Sequence, residues 1–115
     1  MDQKPESLTK AIFICKSDLL LETVCSKLQA EYNLPLFVFE EHSTWEYAIS
    51  HNTGIKFNVT KTEGLETLAT WNTAIPDNAN YQIIVNIISD KYLIQDIKRL
   101  LEGTFLTDII QIQNS

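Results

Sequence analysis

The densest strand pattern in the chain is Leu34–Thr60, LPLFVFEEHSTWEYAISHNTGIKFNVT. Apolar and polar residues alternate in Trp45–Ser50 and again in Ile55–Thr60, and His51–Gly54 lies between these segments. Alternation with a period of two is typical of half-buried strands, and Asn and Gly tolerate the positive φ angles of hairpin turns. The stretch therefore predicts an antiparallel hairpin, with a short helical turn over Thr44–Ser50 as the alternative.

Two further strands are predicted on the N-terminal side of this hairpin. Pro35 cannot continue a helix, so Leu34–Glu40 is predicted to be a strand. Ala11–Cys15, AIFIC, is a short continuous apolar run of the kind found in a strand covered on both faces. A strand, a helix and a second strand joined in this order favour a right-handed crossover with parallel strands. A mixed sheet is therefore expected.

The helix between those strands is indicated by apolar residues at three-and-four spacing, namely Leu20, Leu21, Val24, Cys25 and Leu28. Ser17 or Asp18 is predicted to cap its start, because their side-chain oxygens can accept hydrogen bonds from the first free N–H groups. Asn33 is predicted to end it, since Asn tolerates the left-handed conformation of a helix C-terminus.

The C-terminal half predicts a second strand-helix-strand unit. Tyr81–Ser89 is another near-continuous apolar run, and Phe105–Ile112 reads as a closing strand. Between them Asp90 is a natural N-cap, and an amphipathic helix is predicted to end at Gly103, with its apolar face formed by Leu93, Ile94, Ile97, Leu100 and Leu101. A weaker pattern at Leu65, Leu68 and Trp71 predicts a short helix.

Together these elements predict an α/β (α+β) domain with two main helices and a mixed sheet of five to six strands. Helices largely on one face and two crossovers flanking a meander give a ferredoxin-like plan with added strands. Residues 1–10 are expected to be a flexible N-terminus, and residues 11–115 a single domain, since 115 residues fit one hydrophobic core.

Composition and charge exclude several function classes. The net charge is −6 and Arg99 is the single arginine, which argues against nucleic-acid binding because phosphate neutralisation requires clustered Lys and Arg. An acidic protein suits a basic partner, although modest negative charge also keeps a small domain soluble. No apolar run is long enough to span a membrane, and the polar N-terminus lacks a signal-peptide core. A cytoplasmic protein is expected.

The cysteines fit that expectation. Cys15 and Cys25 lie among apolar residues in a predicted strand and a predicted helix. Such cysteines behave as small buried hydrophobic residues, so a disulfide between them is not expected.

One cluster contains the residue types used for proton transfer and metal binding: Glu40, Glu41, His42, Glu46 and His51. Its spacing matches no established ligand pattern, and no nucleophile with an assignable base or glycine-rich phosphate loop accompanies it. We therefore expect no catalytic residues, metal or cofactor, and predict that the protein is not an enzyme. The acidic residues are predicted to form a docking surface or a solvated turn.

Most aromatic residues are predicted to be core. Phe13, Phe37, Phe39 and Phe57 lie in apolar strand contexts. Trp45 is ambiguous, because it is either core or an exposed ring among carboxylates, where it would be an interface hot spot for a basic partner.

The order GIKFNVTKT at residues 54–62, then Leu68, Trp71–Pro76 and Asn80–Ile83, resembles small bacterial immunity proteins. These proteins neutralise the toxins of contact-dependent growth inhibition and related polymorphic toxin systems. The resemblance covers about a quarter of the chain and implies a protein that binds its cognate toxin C-terminal domain, often a basic nuclease, and occludes its active site.

The residues predicted to bind the toxin come from local sequence rather than from the resemblance. They are Glu40, Glu41, Trp45 and Glu46, followed by Glu63, Glu66 and Asp77. Acidic side chains of this kind can mimic phosphate and accelerate association electrostatically. The alternative function is a small-ligand-binding regulatory domain, because ferredoxin-like modules often bind metabolites at helix-sheet or subunit interfaces.

Overall fold

A computed structural model describes residues 9–42, 44–62, 79–89, 91–104 and 107–114. The chain forms an α+β domain whose elements follow in the order β1 (Thr9–Lys16), α1 (Leu21–Tyr32), β2 (Val38–Glu41), β3 (Trp45–His51), β4 (Ile55–Thr62), β5 (Tyr81–Ile87), α2 (Ile94–Thr104) and β6 (Thr107–Asn114). The predicted fold class and strand number are confirmed. The predicted helix at Leu65, Leu68 and Trp71 and the predicted cap at Asp90 lie outside the described residues.

The six strands form one sheet in the order β2-β3-β4-β5-β1-β6. Four of them, in the order β6-β1-β5-β4, make the ferredoxin-like core with α1 and α2, and β2 and β3 extend it beyond β4. All five described ladders are antiparallel, so the prediction of a mixed sheet is wrong. β1 and β2 do run in the same direction, but β3, β4 and β5 lie between them, so they never pair.

The core lies between the sheet and the two helices. One face of the sheet, called here the helical face, presents Phe13, Phe57 and Ile83, which are fully buried against α1 and α2. On the opposite face Ile12 and Ile14 of β1 are also buried. β1 is therefore covered on both faces, as its continuous apolar run predicts.

α1 ends as predicted but begins differently. Asn33 adopts the left-handed conformation (φ 54°, ψ 53°), and its N–H donates to the Gln29 carbonyl. The predicted N-cap at Ser17 or Asp18 is wrong, because Leu20 occupies the N-cap position without a side-chain hydrogen bond. Ser17 Oγ instead accepts a 3.0 Å bond from the Leu19 N–H, inside the preceding turn.

The β3–β4 hairpin confirms the strand prediction for residues 45–50 over the helical alternative. Its turn depends on Asn52, whose Oδ1 accepts from the N–H groups of Gly54 and Ile55 at 2.8 and 3.0 Å. Gly54 has no positive φ, contrary to the expected reason for glycine here. A Cβ at Gly54 would lie 2.8 Å from the Tyr92 ring and 3.2 Å from Ser89 Cβ, so the position requires glycine for close packing.

Asn80 fixes the connection between β1 and α1. Its side chain accepts from the Ser17 N–H at 3.0 Å and donates to the Ser17 carbonyl at 2.9 Å. The next residue, Tyr81, donates its hydroxyl to the Leu19 carbonyl at 2.6 Å, and Lys61 Nζ donates to the same oxygen at 3.3 Å. The buried polar groups of this connection are therefore satisfied, which positions the start of α1 against β4 and β5.

Both cysteines are buried and free, as predicted. Burial raises the pKa of the Cys15 thiol to about 12. The pKa of Cys25 is also raised to about 12, by burial first and then by the negative charge of Glu46. The charged form of each thiol is disfavoured by desolvation, so both remain protonated near neutral pH.

Among the described residues, neither helix has the length and apolar character needed to cross a membrane.

Candidate functional site: the acidic edge of the sheet

The candidate site is built on β2, which ends the sheet at one side. All four of its residues are exposed, and among the described strands it pairs with β3 alone. The register places Glu40 opposite Tyr47 and Glu41 opposite Glu46. Because side chains alternate along a strand, Glu41 and Glu46 lie on the helical face and Glu40 lies on the opposite face. The carboxylates therefore surround the end of the β2–β3 hairpin.

Four predicted binding residues come together at this hairpin: Glu40, Glu41, Trp45 and Glu46. Glu63, Glu66 and Asp77, the other three, lie outside the described residues. Glu22 joins the site from the first turn of α1, although the sequence analysis did not select it. We call Glu22, Glu40, Glu41 and Glu46 the acidic edge. Acidic residues are common in the first turn of a helix, so the sequence does not distinguish Glu22 as a site residue. Its position in the site depends on the packing of α1 beside β2.

A cleft of about 490 Å³ lies between the start of α1 and the β2–β3 hairpin. It is lined by Leu20, Leu21, Glu22, Phe39, Glu40, Glu41 and Glu46. Apolar side chains and carboxylates thus share one concave surface. Such a surface suits a side chain with an apolar stem and a cationic end, which is the chemistry of Lys and Arg.

The acidic edge carries a repulsion within the free protein. Glu41 and Glu46 are directly opposite each other across the β2–β3 ladder. Like charges at such positions are destabilising. Lys61 faces Glu46 from β4 but donates its ammonium to the Leu19 carbonyl, and the ion pairs Lys98–Glu102 and Arg99–Asp96 lie within α2. A cation placed between Glu41 and Glu46 would relieve this repulsion.

Exposed hydrophobic residues flank the carboxylates. Leu20, Leu36, Val38 and Phe39 are 62%, 79%, 66% and 47% exposed, and they are four of the five large hydrophobic side chains exposed in the described part of the chain. The prediction that Phe39 is core is wrong. Phe39 occupies a helical-face position, but it lies on the outermost strand, where α1 does not cover it completely.

An aromatic stack forms the end of the hairpin. The His42 ring lies 4.0 Å from the Trp45 ring and 5.7 Å from the Tyr47 ring, and Trp45 and Tyr47 are 5.3 Å apart between centroids. Desolvation raises the pKa of the Tyr47 hydroxyl. The negative charge of Glu40 and the hydrogen bond between the Tyr47 and Glu40 side chains raise it further. Trp45 is half-buried in this stack, so it is neither fully exposed nor part of the main core.

The histidine-carboxylate cluster does not assemble as a unit. His42 lies beside Trp45 at the start of β3, whereas His51 ends the same strand. His51 is six positions along the extended strand from Trp45, which corresponds to about 20 Å. Within residues 9–42, 44–62, 79–89, 91–104 and 107–114, no group of three His, Cys, Asp or Glu side chains is placed to hold a metal ion.

A second concave surface, called here the opposite-face groove, has a volume of about 530 Å³. Its lining residues come from β1, β3, β4 and β5: Ile12, Trp45, Tyr47, Ile49, Asn58, Thr60, Gln82 and Ile84. Trp45 and Tyr47 therefore connect this groove with the acidic edge.

Comparisons of the chain with models of protein families, with curated proteins and with solved structures gave no match.

Proposed function

We propose that this protein is an immunity protein that binds a basic toxin domain, such as a nuclease, through its acidic edge and thereby occludes the toxin's active site. The observation that carries this proposal is the combination, on one exposed edge strand, of Glu40 and Glu41 with Val38 and Phe39. Interfaces commonly have an apolar centre and a charged rim, and complementary charge accelerates association. The resemblance at residues 54–83 supports the same role.

The test uses the gene adjacent to that of this protein in its native host. The proposal predicts that this gene encodes a toxin with a basic C-terminal domain, and that the two proteins copurify at low salt. Coproduction of this protein should protect bacterial cells from the toxin. Protection that fails, or an adjacent protein that does not copurify at low or high salt, contradicts the proposal.

Charge reversal tests which surface is responsible. The double variant Glu40→Lys/Glu41→Lys should abolish protection while leaving the unfolding transition nearly unchanged, because both side chains are exposed. Glu31→Lys/Glu102→Lys is the control, since it makes the same change in net charge at exposed positions of α1 and α2 and removes only the exposed 4.0 Å pair of Glu102 with Lys98. Equal loss of protection in both variants would show that net charge, rather than the acidic edge, determines binding.

A second candidate function is the binding of a small regulatory ligand in the opposite-face groove. Its specific support is a lining of apolar and aromatic side chains with a few amide and hydroxyl groups, including Asn58 and Thr60. This function predicts that a metabolite raises the melting temperature of the protein, and that Tyr47→Ala abolishes the increase. A metabolite that stabilises the wild type and Tyr47→Ala equally would place its site elsewhere.

A further inference from the structure

β2 offers main-chain hydrogen-bonding groups as well as side chains at the sheet edge. The His42 N–H donates to the Trp45 carbonyl at 2.7 Å, so His42 and Trp45 form a hydrogen-bonded pair of the β2–β3 hairpin. Hydrogen-bonded pairs alternate along an antiparallel ladder. In the observed register, Glu40 therefore bonds to Tyr47, whereas the N–H and C=O groups of Phe39 and Glu41 point away from β3.

The opposite side of β3 follows the same alternation. The Asn52 N–H donates to the Ile55 carbonyl at 3.0 Å, so even-numbered residues of β3 direct their main-chain groups to β4 and odd-numbered ones to β2. This fixes the outward main-chain groups on β2 at Phe39 and Glu41. An extended segment placed beside β2 could pair with both residues.

We infer that the basic partner binds by adding a strand to β2, with two consecutive cationic residues opposite Glu40 and Glu41 and two apolar residues opposite Val38 and Phe39. This inference rests on the proposed function, since it names the mode by which the acidic edge holds its partner. Residues directly opposite each other on neighbouring strands point to the same face of the sheet. The cationic residue opposite Glu41 therefore enters the cleft that Glu22 and Glu46 also line.

The charge of the edge excludes a second copy of this chain as the preferred occupant. Pairing two β2 strands would bring Glu40 and Glu41 of both copies into one seam, and each copy has a net charge of −6. Charged residues on edge strands commonly prevent unwanted pairing. The same carboxylates that reject an acidic or purely apolar strand favour a basic one, so they also give specificity.

Short synthetic peptides test the predicted order of residues. An antiparallel partner of β2 has the residue order basic-basic-apolar-apolar, so the first probe contains Lys-Lys-Val-Val between threonines. A parallel partner has the reverse order, so the second probe contains Val-Val-Lys-Lys. A peptide with Lys-Val-Lys-Val in the centre has the same charge and composition. One of the two ordered probes should bind at least about tenfold more tightly than this control in a fluorescence-anisotropy titration. Equal affinity for the ordered and alternating peptides overturns the inference.

Backbone methylation separates strand addition from simple charge attraction. In the ordered peptide with the higher affinity, the main-chain N–H groups that would face β2 are replaced by N-methyl groups. The peptide then keeps its side chains and charge but loses these hydrogen-bond donors. The inference predicts at least about tenfold weaker binding after methylation. It also predicts that the amide protons of Phe39 and Glu41 exchange slowly only in the complex, whereas the Glu40 amide is already protected in the free protein. Unchanged exchange at Phe39 and Glu41 overturns the inference.

Two variants of Phe39 test whether its outward main-chain N–H is needed for binding the ordered peptide. Phe39→Ala removes the ring but retains the outward N–H, whereas Phe39→Pro removes both, and proline is tolerated on edge strands where its nitrogen faces away from the ladder. Phe39→Pro should bind the ordered probe more weakly than Phe39→Ala, with both variants folded by circular dichroism. Equal binding by the two variants overturns strand addition.

The outcomes distinguish this inference from the proposed function. If toxin protection is lost in Glu40→Lys/Glu41→Lys but Phe39→Pro protects as well as Phe39→Ala, the acidic edge binds the toxin without strand addition. If the adjacent gene encodes no toxin, the proposed function fails independently of the peptide results. Failure of both ordered probes to bind overturns the strand-addition inference itself.

Discussion

The central strand β1 and the edge strand β2 each carry a phenylalanine on the helical face, but the two rings have opposite environments. Phe13 on β1 is fully buried, whereas Phe39 on β2 is about half exposed. β1 lies between β5 and β6 and is covered on both faces, while β2 has one neighbour among the described strands and incomplete cover from α1. For the same side chain, the position of the strand in the sheet therefore determines whether the ring stabilises the fold or is available for binding.

The largest difference between the buried core, which includes Cys25 of α1, and the edge strand β2 is expected in how stability changes at alkaline pH. Above pH 9 the unfolded chain loses the proton of Cys25, but the folded protein retains it up to about pH 12. The folded state then binds more protons than the unfolded state, so stability should fall as pH rises from 9 towards 12. Cys25→Ser, which does not titrate there, should reduce this slope by up to about 1.4 kcal/mol per pH unit in urea unfolding.

The edge provides the control for this measurement. Glu41→Gln should leave the slope between pH 9 and 12 unchanged, because it does not alter the burial of the Cys25 thiol, which is the main cause of its raised pKa. An equal slope in the wild type and Cys25→Ser would show that burial of Cys25 does not oppose its ionisation.

Truncating one phenylalanine in each region is expected to have the next largest effect. Phe13→Ala should lower the free energy of unfolding by about 3–5 kcal/mol, because it leaves a cavity in a closely packed core. Phe39→Ala should lower it by less than about 1 kcal/mol, since the ring is partly in water. Urea unfolding of both variants checks the difference. Similar losses would mean that the edge stabilises the fold as much as the centre does.

A smaller effect on stability is expected from removing the two hydrogen bonds between the Asn80 side chain and the main chain of Ser17. Asn80→Ala should lower the free energy of unfolding by about 1–3 kcal/mol, because it leaves the buried N–H and C=O groups of Ser17 without their partner. Asn58→Ala is the matched control, since its side chain takes part in a 3.4 Å bond with Thr60 on the opposite face. If Asn58→Ala is the more destabilising in thermal unfolding, Asn80 does not brace the β1–α1 connection.

The smallest expected change is a gain in stability at the acidic edge. Glu41→Gln should raise the free energy of unfolding by a few tenths of a kcal/mol, because it removes the repulsion from Glu46 across the ladder. The gain should decrease at high salt, where exposed charges are screened. Glu31→Gln, at an exposed position of α1, should show no such salt-dependent gain. A loss of stability in Glu41→Gln would indicate that Glu41 has a favourable partner in the free protein.

Much of the fold was predictable because the patterns are local. Ala11–Cys15 and Tyr81–Ser89 are continuous apolar runs, and both lie in central strands, although β5 ends at Ile87. The helix end at Asn33 follows from the tolerance of that residue for the left-handed conformation. The parallel pairing of the first two strands was wrong because a crossover sets their relative direction but not which strands come between them.

The candidate site was predictable only in part. Glu40, Glu41, Trp45 and Glu46 are close in sequence across a tight hairpin, so the hairpin brings them together. Glu22 comes from another element, and its position depends on how α1 packs against the sheet. Phe39 was assigned to the core because it ends the apolar run Leu36–Phe39, and local sequence does not show that a strand will be at an edge.

Periodicity, the C-terminal cap at Asn33 and charge are properties of neighbouring residues, so most of the elements, the α+β class, the acidic character and the free thiols follow from the amino-acid sequence. Tertiary structure alone decided the strand order, which places β2 at an edge with Phe39 exposed and with the main-chain groups of Phe39 and Glu41 pointing outward. The physical reason is that burial and free hydrogen-bonding groups depend on which strands become neighbours. That choice is made by packing between residues far apart in the chain.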